Sequence, residues 1–177
     1  MKYLAATVQF EPEMFAKERN IDALVRLVEE AAASGARLII TPEMGLTGYC
    51  WYDRGEVAPY VEQVPGPSTQ SFAALAAKLD CYIVIGLPEV DADNGLYYNT
   101  AVLVGPEGYL GKHRKSHPYI AEPKWAASGD TGHQVFETSL GRIALLICMD
   151  IHFLETARLV ALQGAEVICH LSNWLAE

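Results

Sequence analysis

Basic residues are scarce in this chain: 13 lysines and arginines face 22 aspartates and glutamates, a formal net charge of −9. A field of that sign repels polyphosphate and anionic lipid alike, which excludes nucleic acid and the membrane surface as expected partners. Long apolar runs are missing too. The longest, Ile143 to Met149, falls far short of the ~20 residues a membrane-spanning helix needs. The opening "MKYLAATVQFEPE" carries one lysine and meets Gln9 and Glu11 before a signal-peptide core can form, so the expected compartment is the cytoplasm. No C-x-x-C pair occurs among Cys50, Cys81, Cys148 and Cys169. Cysteines so far apart suit free thiols in a reducing compartment better than a disulfide framework. Repeats, low-complexity tracts and linkers are also absent, and one domain over residues 1–177 is the economical reading.

What the chain does have is apolar content: 51% of its 177 residues, enough to bury the core of one domain. "YLAATVQF" is apolar and β-prone. "NIDALVRLVEEAAASG" then sets Ile21, Leu24, Val25, Val28 and Ala32 at helical spacing, with Gly35 as the stop. "ARLIITPE" reads as a buried strand, "STQSFAALAAKLD" as a helix and "CYIVIGLPEV" as another buried strand, giving the order β-α-β-α-β. Residues 97–115 predict two strands around Gly-Pro-Glu-Gly, and residues 133–150 two more around Leu140-Gly141. A helix, a glycine stop and a strand follow, the helix starting near Ile151. These elements make an α/β layered domain. The chain ends at Glu177 directly after an apolar strand, as a fold cut before it closes.

In such folds ligands bind beyond the carboxyl ends of the strands. Glu43 follows "RLIITP", Lys115 follows "YLGKHR" and Cys148 follows "RIALLI". Taken singly, each has an ordinary reading as a solvated loop acid, a surface lysine or a packed thiol. At a strand-to-helix turn, however, the Cys148 sulfur would face unsatisfied N–H groups that favour its thiolate, and the Met149 N–H among them would stabilise an oxyanion. A carboxylate–lysine pair would supply the base and the cation such a thiol needs. A metal site is the competing reading: Cys148, Asp150 and His152 alternate as they would along one face of a strand, and His113 and His117 lie four apart. Arg114 and Lys115 between those histidines would repel a dication, and a helix from Ile151 would destroy the alternation, so no metal is expected.

Three stretches, "ITPEMGLTGY", "GKHRKSH" and "LLICMDIHFLE", resemble in order and separation the three motifs of the nitrilase superfamily, the carbon–nitrogen hydrolases. "AATVQF" near the start and "LSNW" near the end extend the resemblance across the chain. It implies a four-layer α-β-β-α sandwich and a Glu-Lys-Cys triad formed by Glu43, Lys115 and Cys148. A second family glutamate matches Glu122, ahead of the Gly-Asp pair at 129–130, and would position the lysine and the attacking groups. Substrate contacts are expected from Met149, His152, Asn173 and Trp174. The implied reaction hydrolyses a small amide, N-carbamoyl compound or nitrile through a cysteine thioester, without metal or organic cofactor. Family members commonly associate through outer-layer helices, so a homodimer or larger homo-oligomer is expected.

Three departures refine this expectation. Met149 and Asp150 stand where nitrilases proper carry tryptophan and glutamate, which resembles the amidase and carbamoylase branches and favours amides over nitriles. His152 replaces an arginine that pairs substrate carboxylates in some relatives; a histidine is a weaker, pH-dependent partner. Relatives also continue well beyond the "NW" element, so this chain is expected to lack the C-terminal part of the sandwich, leaving an apolar edge on the second sheet. A non-enzymatic interaction domain on the same fold is the remaining alternative.

Overall fold

Helical spacing of apolar residues places Leu24 and Val28 on the inner face of α1 (Lys17–Ala33), where both are fully buried. The helix starts three residues before the apolar pattern suggests, because Asn20 is itself an inward residue. Its side chain accepts from the Glu13 backbone N–H at 2.9 Å and donates to the Glu13 carbonyl at 2.8 Å, tying the helix to the preceding loop. The computed structural model describes residues 2–174; the chain end at Glu177, expected to be an unfinished edge, lies outside the described residues.

Around α1 the order is β1 (Leu4–Thr7), β2 (Ala36–Ile40), α2 (Arg54–Val57), α3 (Pro67–Leu79), β3 (Tyr82–Val90), β4 (Tyr97–Gly105) and β5 (Gly108–Arg114). After these come β6 (Val135–Thr138), β7 (Gly141–Ile147), α4 (Leu154–Leu162) and β8 (Val167–Leu171). The first sheet runs β1-β2-β3-β4-β5, parallel through β3 and antiparallel beyond it; the second runs β6-β7-β8. β1 is shorter than the apolar segment that predicts it. Val8 still bonds to the Ile40 carbonyl at 2.8 Å before the chain leaves the sheet.

Side-chain alternation along the strands builds the layers. Ile39 and Ile83 turn toward α1 and α3 and join Leu24, Val28, Phe72 and Ala76. Leu38 and Val84 turn the other way and meet Ile143, Leu145 and Ile147 of the second sheet. α4 covers the far face of β7 with Thr156 and Val160 inward. The result is the α-β-β-α sandwich the resemblance implied. β3 is buried on both faces, which is why "CYIVIGLPEV" reads as a continuous apolar run. On the outside of α4, Leu154 and Leu162 are largely exposed. Among the described residues no helix is long and apolar enough to cross a membrane.

The expectation of a helix from Ile151 needs correction. Residues Cys148–His152 form a tight 3-10 turn, Phe153 is extended, and α4 begins only at Leu154. The Asp150 carboxylate draws this turn together by accepting from the Ile147 backbone N–H at 3.1 Å, and the Thr156 hydroxyl holds the Asp150 carbonyl at 2.5 Å. Cys148 itself has a φ of 42°, in the left-handed region.

A third apolar cluster, Met44, Trp51, Val57, Trp125 and Ala126, lies under the loops that leave β2 and β5. It fixes the segments that carry Glu43, Lys115 and Glu122.

Candidate active site

Glu43 lies three residues past β2, and the approach is anchored at Thr41, whose backbone N–H bonds to the Val84 carbonyl at 2.9 Å. Glycine at 86 makes the approach possible: a Cβ there would lie 2.7 Å from both the Met44 nitrogen and the Pro42 oxygen. Lys115 is the first residue after β5. Its backbone is held by Asn99 and by Gly129, at 2.8 Å each. A side chain at 129 would meet the Arg114 carbonyl at 2.0 Å, so the Gly-Asp pair at 129–130 begins with the only residue type that fits. Glu122 opens a 3-10 turn, Glu122–Lys124, and takes the Tyr119 backbone N–H at 2.7 Å.

These segments bring three charged side chains together out of water. The Lys115 ammonium donates to Glu43 Oε1 at 2.8 Å and also to Glu122 Oε2. Asn99 donates from its one amide nitrogen to Glu43 Oε1 at 2.8 Å and to Glu122 Oε1 at 2.6 Å. The Tyr49 hydroxyl donates to Glu122 Oε2 at 3.2 Å, and its ring lies 5.4 Å from the ammonium. The Asn173 backbone N–H reaches Glu43 Oε2 at 3.0 Å. Glu43 is fully buried, and Lys115 and Glu122 nearly so.

Burial and the neighbouring charges set the acidities. Burial pushes the Glu43 carboxyl up, and Glu122 adds to the rise; Lys115 opposes it without cancelling it. For Lys115, burial works against the charge, but Glu43 and then Glu122 outweigh it and hold the ammonium's pKa above its ordinary value. Burial, with Glu122 and Glu43 behind it, also pushes the Tyr49 phenol up, so it acts as a hydroxyl donor.

Cys148 completes the cluster from the second sheet, half-buried at the end of β7. The expectation that a helix terminus would favour its thiolate does not hold. With only a 3-10 turn behind it, burial followed by the Glu43 carboxylate pushes the thiol up to about 12, against the pull of Lys115. Its resting form near neutral pH is therefore the thiol, beside a carboxylate able to take its proton.

The other expected contacts are scattered. Met149 is half-buried beside the cysteine, and Asn173 bonds to Glu43. His152 and Trp174 are both exposed, with rings 6.4 Å apart. Asn173 and Trp174 line a cavity of about 680 Å³ with Thr41, Pro42, Tyr49 and His170. The metal reading required an extended strand at 148–152. The 3-10 turn instead sends Cys148 toward Glu43 and Asp150 into hydrogen bonds with His113 and His117, leaving His152 in solvent. Asn99 and Tyr49 were missed by sequence reasoning. Asn99 had a signal, a carboxamide inside the apolar strand "YYNTAVLV"; Tyr49 had none beyond lying in "PEMGLTGY".

The chain matches the carbon–nitrogen hydrolase family over residues 4–176. It belongs to that family. Among curated members it is similar to a nitrilase of Pyrococcus abyssi, 38% identical over 95% of this chain and 64% of that protein. It is also similar to an omega-amidase of Xenopus tropicalis, 32% identical over 87% of this chain and 58% of that protein. The chain thus spans under two thirds of the length of either hydrolase. Among solved structures, a branch 10 member of the nitrilase superfamily from Saccharomyces cerevisiae superposes with a TM-score of 0.83 at 26% identity, over 94% of this chain and 63% of that one.

Proposed function

We propose that this protein hydrolyses the C–N bond of a small linear amide or N-carbamoyl compound through a thioester on Cys148. The observation that carries the reading is the Cys148 thiol lying beside Glu43 while Glu43 is bound to Lys115. In the first half-reaction the thiol proton passes to Glu43 as sulfur attacks the carbonyl carbon. Lys115 and the Met149 N–H stabilise the charge that develops on oxygen. Glu43 then returns the proton to the leaving nitrogen, the C–N bond breaks, and ammonia departs. In the second half-reaction water attacks the thioester, Glu43 takes the water's proton and passes it to sulfur, and the carboxylic acid is released.

Glu43 is suited to this shuttle because burial and Glu122 raise its carboxyl pKa, narrowing the gap to the thiol it deprotonates. Glu122, which accepts from Lys115, Asn99, Tyr49 and the Tyr119 N–H, is held by all four donors and serves to place the lysine. Met149 and Asp150 after the cysteine favour amides. The Pyrococcus relative's name supports nitriles as a second reading, with the same thiol attacking the nitrile carbon. Self-association belongs to the same proposal, with the exposed leucines of α4 offering apolar surface on the outer layer.

The test is an ammonia-release screen over amides, N-carbamoyl compounds and nitriles, with Cys148→Ala as control. Turnover should vanish in Cys148→Ala, and intact mass should show an acyl adduct on the wild type during turnover. Ammonia release that survives the substitution would sink the proposal. Light scattering of the same samples reads the oligomeric state.

A further inference from the structure

The reactive groups come from two sheets: Glu43 and Lys115 follow strands of the first, and Cys148 follows β7 of the second. Their meeting depends on how the two sheets are held at this end. Asp150, two residues past Cys148 and fully buried, spans that gap. Its Oδ2 accepts from the Ile147 N–H at 3.1 Å, on its own turn, and from His113 Nε2 at 2.8 Å, on β5. Its Oδ1 accepts from the Ser116 and His117 N–H groups at 3.1 Å each and from His117 Nδ1 at 3.0 Å. Of these donors, one belongs to the nucleophile's turn and the rest flank Lys115 on both sides in sequence. The His117 ring also stacks on Phe153, with centroids 3.8 Å apart.

From this bridge we infer that Asp150 is a positioning residue, locking the Cys148 turn onto the Lys115 loop and so setting where the sulfur meets the Glu43–Lys115 pair. The inference rests on the proposed activity only for its kinetic consequence. A carboxylate with no exposure and every strong acceptor direction filled is a costly way merely to fill space, because well-packed apolar residues do that as well. Burial acts against its charge, yet the hydrogen bond from His113 and those that follow it hold the carboxyl below its ordinary value, so it stays ionised and able to accept from all of these donors. Cys148 also needs such a grip, since a side-chain-bearing residue holds a φ of 42° only where its surroundings fix it. Asp150 takes the N–H before it, and His170 Nε2 donates to the Cys148 carbonyl at 3.0 Å on the other side.

Asp150→Asn tests this, because the amide sets an NH2 donor against the Ile147 and His113 donors, or against those of Ser116 and His117, while keeping the volume. With near-UV circular dichroism matched to wild type and the assay run well below the variant's own melting temperature, kcat should fall about 100-fold, the scale of a ~1 Å misplacement, with KM little changed. The pH midpoint for alkylation of Cys148 by iodoacetamide should also drop toward the ordinary thiol range as the sulfur leaves Glu43. A folded Asp150→Asn with kcat within about twofold of wild type and an unmoved midpoint overturns the inference. Should Asp150→Asn fail to fold, half-buried His117 decides. His117→Ala should lose about tenfold in kcat, one charge-assisted hydrogen bond's worth, and His117→Asn, which keeps a donor near the Nδ1 position, should recover it. Wild-type kcat and alkylation midpoint in His117→Ala overturn the inference. If wild type releases no ammonia from any substrate, the proposed activity fails while the alkylation midpoints still decide the role of Asp150.

Discussion

Asn99 donates to Glu43 Oε1 at 2.8 Å, and the same amide nitrogen reaches Glu122, so one carboxamide sits between the two carboxylates that share Lys115. Two buried carboxylates beside a single ammonium leave one negative charge uncompensated, and the Asn99 dipole offsets part of it. Asn99→Ala should therefore destabilise the fold by about 1–3 kcal/mol, the cost of leaving buried acceptors short of a donor. It should also raise the Glu43 pKa further, moving the acid limb of kcat/KM to higher pH. Urea titration and a pH–rate profile check the two effects; a variant with wild-type stability and an unmoved limb would contradict them.

Lys115 is the only cation touching either carboxylate among the described residues. Lys115→Met should cost about 3–5 kcal/mol near neutral pH, since removing one partner strands buried charge. The loss should shrink as pH falls, because burial already raises the Glu43 carboxyl pKa and its protonation removes the stranded charge. Thermal melts at several pH values would show it, and a pH-independent loss would mean that packing, not charge, dominates.

Glu43 and Asp150 pull acid stability in opposite directions. The Glu43 pKa is raised on folding, so the folded state binds its proton more tightly than the unfolded state does; its contribution is present below the unfolded pKa and lost as pH rises through the folded one. The Asp150 pKa is lowered, so its contribution is present above the unfolded pKa and lost as pH falls through the folded one. Glu43→Gln should therefore stabilise the protein at neutral pH relative to wild type, and Asp150→Asn should flatten the acid side of the stability curve. Denaturant midpoints between acid and neutral pH would reveal either effect. Activity must still fall in Glu43→Gln, which has no base to offer.

The element order and an α/β layered domain were legible because alternation and helical spacing write burial directly into sequence, as Leu38 and Ile39 show by facing opposite layers. The positions of Glu43, Lys115 and Cys148 at strand ends were legible for the same reason. What escaped was made by side chains acting on the backbone. The 3-10 turn at Cys148 depends on Asp150 accepting from Ile147, and nothing local in "CMDIHFLE" distinguishes that from a helix start. The high thiol pKa escaped because it depends on burial and on Glu43, far away in sequence. Asn99 could have been suspected as a polar residue in a buried strand, but not its two partners.

Gly86 offers a test of how tightly the first sheet holds Glu43, the proposed base. It lies in β3 against the loop carrying Glu43, and its carbonyl accepts from the Leu46 N–H at 3.2 Å. An added Cβ would lie 2.7 Å from the Met44 nitrogen and the Pro42 oxygen, both backbone atoms with no rotamer to yield. Gly86→Ala should destabilise the fold by about 1–3 kcal/mol, as overpacking does, and should lower kcat because relief comes by pushing Glu43 away from the Cys148 sulfur. Gly95→Ala is the matching control: its φ is 69° but open space surrounds it. There the left-handed backbone alone should cost about 1–2 kcal/mol and leave kcat untouched. If both variants lose stability equally and neither loses kcat, the close approach at Gly86 is packing without consequence for the base.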